Sequence, residues 1–136
     1  MRITIPKDVG GELKVLPEGT CRATIEGLSL GKSKENQPKV TVRYICLTEL
    51  YPSDFKDSTI GERILETFSL QPQALWRIND LYKEATGENI PQGDYEDLEF
   101  QEILEGDLKG TEWNLLLETE TYEGREQTRV KERSKT

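Results

Sequence analysis

The sequence contains no histidine and only two cysteines, Cys21 and Cys46. It also has no glycine-rich phosphate loop, no nucleophile elbow and no cluster with the spacing of metal ligands. Zinc sites and most catalytic triads use histidine or closely spaced cysteines, so these classes find no support. These absences indicate a protein that is not an enzyme, needs no cofactor and acts by binding. Both cysteines lie in strand-like runs and are predicted to be buried, reduced thiols.

Long hydrophobic runs are absent as well. No stretch approaches the ~20 apolar residues that a membrane-spanning helix needs. The first residues, Met1 to Pro6, lack the apolar segment of a secretory signal. We therefore expect a cytoplasmic protein with no membrane partner. The length of 136 residues is typical of one domain with one core.

The net charge of −8 is distributed unevenly along the chain. Residues 1–83 carry 12 Lys or Arg against 11 Asp or Glu, residues 84–124 carry 1 against 13, and residues 125–136 carry 5 against 2. Salt limits the reach of exposed charges to roughly 10 Å. A basic strip on one face can therefore attract phosphate while the acidic block faces elsewhere.

Alternation of apolar and polar residues predicts three strands in the first half of the chain. Residues 20–30 alternate and change phase at Gly27, which indicates a bulge in a long first strand. Residues 39–47 alternate regularly and predict a second strand that turns four side chains inward: Val40, Val42, Tyr44 and Cys46. Residues 61–70 predict a third strand whose register the pattern does not decide.

The second half predicts a helix followed by a hairpin. Pro72 suits a first helical turn, Gly87 suits a helix end, and the apolar stripe between them is Leu75, Ile78, Leu81, Tyr82 and Ala85. Residues 88–110 hold most of the acidic block and could contain a short second helix. Trp113, Leu115 and Leu117 predict a fourth strand. After a turn at residues 122–125, a fifth strand places Val130 inward.

Three strands, a helix and a two-strand hairpin follow the order of the OB fold. We therefore predict a mainly β protein with a five-stranded OB barrel and one helix between strands three and four. Residues 1–16 are predicted to form an N-terminal arm or an irregular strand, and residues 17–131 the barrel. Residues 132–136 are predicted to be a disordered basic tail.

Four segments also carry a resemblance to a known family: Leu16-Pro17-Glu18-Gly19-Thr20; Lys32-Ser33-Lys34 and then Pro38; Phe68-Ser69-Leu70 and then Ala74-Leu75-Trp76-Arg77; Tyr122-Glu123-Gly124 and then Val130-Lys131. In this order they resemble the small phage and prophage single-stranded-DNA-binding proteins, long classified as a domain of unknown function. The resemblance implies an OB-like barrel. It also implies that the protein is encoded by a phage or prophage and acts in the cytoplasm of a bacterial host. It also implies a role in phage DNA replication or recombination, where displaced single strands must be covered.

OB barrels hold oligonucleotides on strands two and three and on the flanking loops. The predicted DNA-binding residues are the cations there and one tyrosine for base stacking: Lys32, Lys34, Lys39, Arg43, Tyr122, Arg125, Arg129 and Lys131. The alternative for the lysines is an ordinary solvated loop. For Arg129 and Lys131 it is an ordinary polar strand face.

Other side chains have competing interpretations. Trp76 and Trp113 are predicted to pack in the core, and Phe68 remains undecided. The acidic segment 94–107 supports an alternative function, in which it docks a replication or recombination protein or mimics DNA. A metal nuclease using Asp94, Glu96, Asp97 and Glu99 has less support, because a carboxylate run is more often a solvated surface.

Overall fold

The computed structural model describes residues 15–51 and 58–136. Its strands and helices are β1 (Gly19–Lys32), β2 (Pro38–Cys46), β3 (Arg63–Ser69), α1 (Leu75–Thr86), α2 (Asp97–Leu108), β4 (Glu112–Tyr122) and β5 (Arg125–Lys135). Residues 1–14 of the predicted N-terminal arm lie outside the described residues, so the prediction for that segment stays a prediction.

The five strands form one antiparallel sheet in the order β3-β2-β1-β4-β5. The first half of β1 pairs with β4, and its second half pairs with β2. The register of β1 shifts between Ile25 and Gly27, which confirms the predicted bulge. Such a bulge bends a strand and increases its twist, and this lets one long strand serve both halves of the sheet.

The sheet is open, and its edge strands β3 and β5 are joined by side chains. In the described residues no ladder connects these two strands. Instead, Arg133 on β5 donates to Glu66 on β3 over 2.6 Å, and the Tyr44 hydroxyl donates to the same carboxylate over 2.8 Å. The mainly β class is confirmed. The closed barrel that the sequence predicted is not shown.

Alternate residues of the strands build the core, as a half-buried sheet requires. The four inward residues predicted for β2 are all at most 1 % exposed. In β3 the inward residues are Ile64, Glu66 and Phe68, which settles its register and buries Phe68 completely. Trp113 is fully buried and Val130 is 7 % exposed, so both predictions for the hairpin core are confirmed.

Two helices connect β3 to β4: the sequence predicted the first and left the second open. A short 3-10 turn begins at Pro72, and α1 ends at Gly87, whose φ of 83° is the left-handed cap conformation. The additional helix, α2, lies in the acidic block and buries Leu104 and Leu108. Because these leucines are four residues apart, they lie on one side of α2, while Asp97, Glu99 and Glu102 remain exposed to water.

The helix α2 and the loop after it cover the side of β1 that β4 leaves free. Ile25 exchanges backbone hydrogen bonds with Thr111 and Gly110 over 3.0 and 2.9 Å. Beyond the bulge, the backbone N–H of Leu28 donates to Glu105 and its carbonyl accepts from Gln101, both over 3.4 Å. These groups satisfy backbone polar atoms that would otherwise be unpaired next to the core.

Two sequence predictions about single segments are wrong. Trp76 is 63 % exposed on α1 and does not pack in the core. The predicted disordered tail is largely strand, since β5 continues to Lys135 and pairs there with Trp113. The backbone N–H of Lys135 also donates to Glu84 of α1 over 3.0 Å, so the end of β5 is held on both sides.

The prediction for the cysteines is confirmed, because Cys21 and Cys46 are both buried and free. Their Sγ atoms lie 3.5 Å apart across β1 and β2, a contact that the sequence spacing did not predict. The pair fills a small apolar part of the core, as free cysteines commonly do.

Candidate nucleic-acid interface

We define the outer face as the side of β1, β2 and β3 that faces away from the core. Cross-strand pairing places these residues on it: Gly27, Ser29 and Gly31 of β1; Lys39, Thr41, Arg43 and Ile45 of β2; Arg63, Leu65, Thr67 and Ser69 of β3. Beyond the bulge, β1 contributes only glycine and serine at these paired positions. Glu26, at the bulge itself, is the one large side chain that this strand adds to the outer face.

The cations of β2 extend across the glycines of β1. A methyl group added at Gly27 would lie 2.9 Å from Nη2 of Arg43, and one added at Gly31 would lie 3.9 Å from Cε of Lys39. Glycine within a strand often marks a place where a ligand or another chain approaches closely. Arg43 and Glu105 of α2 occupy the space over Gly27, whereas the space over Gly31 is open except for Lys39. The outer face therefore carries cations along β2 and only small side chains at Ser29 and Gly31 of β1.

Arg63 adds a third cation that the sequence analysis missed. Its Nε lies 3.2 Å from Oε2 of Glu26, and Nε of Arg43 lies 3.5 Å from the same oxygen. A single carboxylate thus stands between two guanidinium groups, and Lys39 adds further positive charge. The register of β3 would have placed Arg63 on this face. That register depends on Glu66 pointing inward, which the sequence pattern did not indicate.

The loop at residues 33–37 contacts the turn of the β4–β5 hairpin, although the two extend from opposite ends of β1. Lys34 forms an ion pair with Glu123, and its Nζ lies 5.9 Å above the centre of the Tyr122 ring. Tyr122 is 55 % exposed. The structure therefore brings Lys34 and Tyr122 together, as the sequence predicted for the two flanking loops. Lys32 and Arg125 are exposed beside them, at the ends of β1 and β5.

The cations of β5 lie among carboxylates. Arg129 contacts Glu118 at 3.1 Å and Glu120 at 3.8 Å, and Lys131 contacts Glu118 at 3.9 Å. Arg129 also borders a cleft of about 350 Å³ between β3 and β5, which Arg63 and Arg77 line as well. The predicted site residues thus fall into three groups. One lies on the outer face, one lies where the loop at residues 33–37 contacts the hairpin, and one lies on β5, where carboxylates balance the charge of Arg129 and Lys131.

Two of the aromatic residues are excluded from base stacking by burial. Phe68 is completely buried between the guanidinium groups of Arg77 and Arg133, which lie 5.6 and 5.2 Å from its ring centre. Trp113 is also buried, and its indole N–H donates to Thr111 over 2.8 Å. Tyr51, Trp76 and Tyr122 remain accessible.

Two groups with a raised pKa lie among the buried residues, Glu66 and Tyr82. Burial raises the pKa of Glu66, although Arg133 and the Tyr44 hydroxyl act in the opposite direction. A hydrogen bond to Asp107, together with burial, raises the pKa of Tyr82 to about 12. Glu66 belongs to the junction of the edge strands and Tyr82 to the packing of α1 on α2, so both shifts reflect structural contacts.

Two further findings concern the metal-nuclease alternative and the expectation of no membrane partner. Within residues 15–51 and 58–136, no three acidic or cysteine side chains converge in a way that could hold a metal ion. In the same part of the chain, neither helix has the length and apolarity needed to cross a membrane.

No protein-family model matches this chain, and no curated protein matches it significantly. The resemblance to the phage single-stranded-DNA-binding proteins therefore stays a prediction.

Proposed function

We propose that the protein binds single-stranded DNA, with little sequence preference, along the outer face. The observation that supports the proposal is the group of Lys39, Arg43 and Arg63, three cations of which the two arginines share the single carboxylate of Glu26, and which lie beside the small residues Gly27, Ser29 and Gly31. Single strands are held by grooves that combine cations for the phosphates with flat rings for the bases. The resemblance to phage proteins adds the expected setting, DNA replication or recombination.

In this proposal each part of the site has its own task. The three cations contact phosphates, and the small side chains at Ser29 and Gly31 leave room for the DNA backbone. Tyr122, beside Lys34, stacks on a base at the end of the strand, which contributes about 1–3 kcal/mol. No proton transfer or bond cleavage is involved, so the activity is binding alone.

The test is a titration of fluorescently labelled oligo-dT at low and moderate salt, followed by anisotropy. We expect affinity to fall linearly with salt on logarithmic axes, because phosphate contacts release counterions. Lys39→Gln should weaken binding and reduce the salt slope by about 0.7, the contribution of one phosphate contact on a single strand. Lys83→Gln on α1 is the matched control and should leave both unchanged. Absence of binding at low salt would overturn the proposal.

A second variant tests whether the DNA binds on the outer face or on the hairpin. Glu26→Gln removes the carboxylate between Arg43 and Arg63, so we expect oligo-dT affinity to rise roughly threefold, as ~0.7 kcal/mol per exposed ion pair implies. Glu118→Gln makes the same chemical change beside Arg129 and Lys131 and should have a smaller effect. If Glu118→Gln strengthens binding more than Glu26→Gln, the DNA lies on the hairpin and the assignment to the outer face is wrong.

A further inference from the structure

An apolar groove lies between α1 and the connection to α2. Six residues form most of its lining: Leu75, Trp76, Ile90, Pro91, Tyr95 and Phe100. Its volume is about 500 Å³, and Trp76 at its mouth is 63 % exposed. It shares no residue with the outer face.

Hydrogen bonds hold the two walls of the groove together. The side-chain oxygen of Asn79 on α1 accepts from the backbone N–H of Ile90 over 2.8 Å, and its amide nitrogen donates to Asn89 over 3.0 Å. In the opposite wall, the rings of Tyr95 and Phe100 lie 5.7 Å apart. A groove with walls fixed in this way loses little conformational entropy when a ligand enters.

The exposed indole of Trp76 requires an explanation. A tryptophan side chain carries a large apolar area that normally goes into a core or an interface. Leu75, its neighbour in the groove, is also 41 % exposed. Exposed aromatic residues at the mouth of a pocket are typical of protein interfaces, where they contribute much of the binding energy.

The charge around the groove selects the kind of ligand. The segment from residue 87 to residue 100, which forms one wall, contains no Lys or Arg and five carboxylates: Glu88, Asp94, Glu96, Asp97 and Glu99. Arg77 follows Trp76 in sequence, but its guanidinium group is turned away over Phe68. The wall therefore repels phosphates and attracts cations.

We propose that this groove binds a short segment of a partner protein in which a bulky apolar side chain is flanked by lysines or arginines. The apolar side chain fills the groove against Trp76, and the flanking cations face the carboxylates of the wall. Binding in this groove does not depend on DNA binding at the outer face. It gives the acidic block a role, which is to attract the lysines or arginines of the partner segment.

The two tryptophans make the groove directly observable. Trp113 is fully buried, so acrylamide quenching and shifts of the emission maximum report mainly on Trp76. The probes are synthetic, tryptophan-free peptides with Phe-Leu, Tyr-Ile or Ala-Ala at the centre and with basic or acidic flanks. We expect the basic peptides with apolar centres to shift the emission to the blue and protect Trp76 from acrylamide.

Variants of the full chain then test the two parts of the groove with fluorescein-labelled peptide. Trp76→Ser should weaken binding at least tenfold, whereas Trp76→Phe should retain most of the affinity. The double change Asp94→Lys with Glu96→Lys should weaken binding and remove its salt dependence. The double change Glu126→Lys with Glu132→Lys on β5 alters the net charge by the same amount at two exposed positions, so it is the matched control and should bind like the original protein. Because Trp76 is exposed, its replacement should leave the circular dichroism spectrum and the Trp113 emission unchanged.

Several results would overturn the inference. Equal binding of the Ala-Ala peptide would mean that charge alone is recognised, and no protection of Trp76 by any basic peptide would mean that the groove takes no such segment. Protection by oligo-dT would make nucleic acid the occupant. Concentration-dependent dimerisation that Trp76→Ser abolishes, measured by sedimentation, would make it a second copy of this chain.

Discussion

At the scale of single residues, Glu66 shows best how a buried charge directs the fold. It is 8 % exposed, accepts hydrogen bonds from Tyr44 and Arg133, and turns inward between Ile64 and Phe68. Arg133 is 67 positions away in the chain. Local hydropathy cannot predict an inward carboxylate whose partner is so distant, and this is why the register of the third strand stayed undecided from sequence.

The pH dependence of stability follows from the same residue. Because burial raises the pKa of Glu66, the folded protein retains this proton at pH values where the unfolded chain, with a pKa of about 4.3, has released it. The contribution of Glu66 to the free energy of unfolding is therefore greatest below that pH and falls as the pH rises. Glu66→Gln should accept from Tyr44 without titrating.

Urea denaturation at a series of pH values tests this. The unfolding free energy of the original protein minus that of Glu66→Gln should decrease as the pH rises above about 4.3. A difference that grows with pH would mean that Arg133 outweighs burial.

The two tryptophans show what residue patterns can and cannot decide. Trp113 shares the period-two alternation of Leu115 and Leu117, and it is buried as predicted. Trp76 stands beside the helical stripe, one position from Leu75 and two from Ile78. On a helix such offsets point in different directions, so size and apolarity alone gave the wrong prediction.

At the scale of elements, the β4–β5 hairpin depends on its two-residue turn. Glu123 and Gly124 have φ values of 50° and 78°, between the paired residues Tyr122 and Arg125. Two positive φ angles are the signature of a type I′ turn, whose twist matches that of the strands. The sequence predicted this turn correctly because glycine adopts such angles without steric cost.

Gly124→Ala should therefore destabilise the protein by about 1 kcal/mol, since a Cβ disfavours the left-handed region. Gly31→Ala is the control, because Gly31 has no positive φ and its added methyl would meet Lys39 at an ordinary distance of 3.9 Å. Thermal unfolding of the two variants should separate them by several degrees. Equal melting temperatures would show that the turn bears no strain.

The second helix was only weakly indicated by its residues. Leu104 and Leu108 are the two positions of α2 that become buried, and acidic side chains surround them in sequence. What stabilises α2 is its position beside β1, where Gln101 and Glu105 bond the backbone of Leu28. That contact joins segments more than 70 residues apart, and no local pattern contains it.

At the scale of the whole molecule, strand order and bulge could be predicted, but the junction of the sheet edges could not. The alternation in β2 and the phase change at Gly27 are local signals, and both were confirmed. The junction depends on Arg133, in a segment whose polar composition predicted disorder. A polar strand with one inward side chain gives almost no hydrophobic signal.

The end of β5 is consequently predicted to be essential. A chain that ends at Lys131 loses Arg133 and leaves Glu66 buried without its cation, which should cost about 3 kcal/mol of unfolding free energy. A chain that ends at Ser134 keeps the ion pair and should lose much less. Urea denaturation of both chains makes the comparison. Equal stability of the two chains would show that residues 132–134, Arg133 among them, contribute nothing to the fold.

The position of β2 has a consequence for how the outer face can respond to a ligand. From Lys39 to Ile45 this strand is hydrogen-bonded on both sides, to β1 and to β3, and its inward side chains are fully enclosed. Displacing it would break two ladders at once, so the middle of the face is a stiff platform. Adaptation to ligands of different shape must then come from long side chains and from the loop at residues 33–37. We therefore expect this surface to select ligands that fit a flat sheet whose backbone does not move.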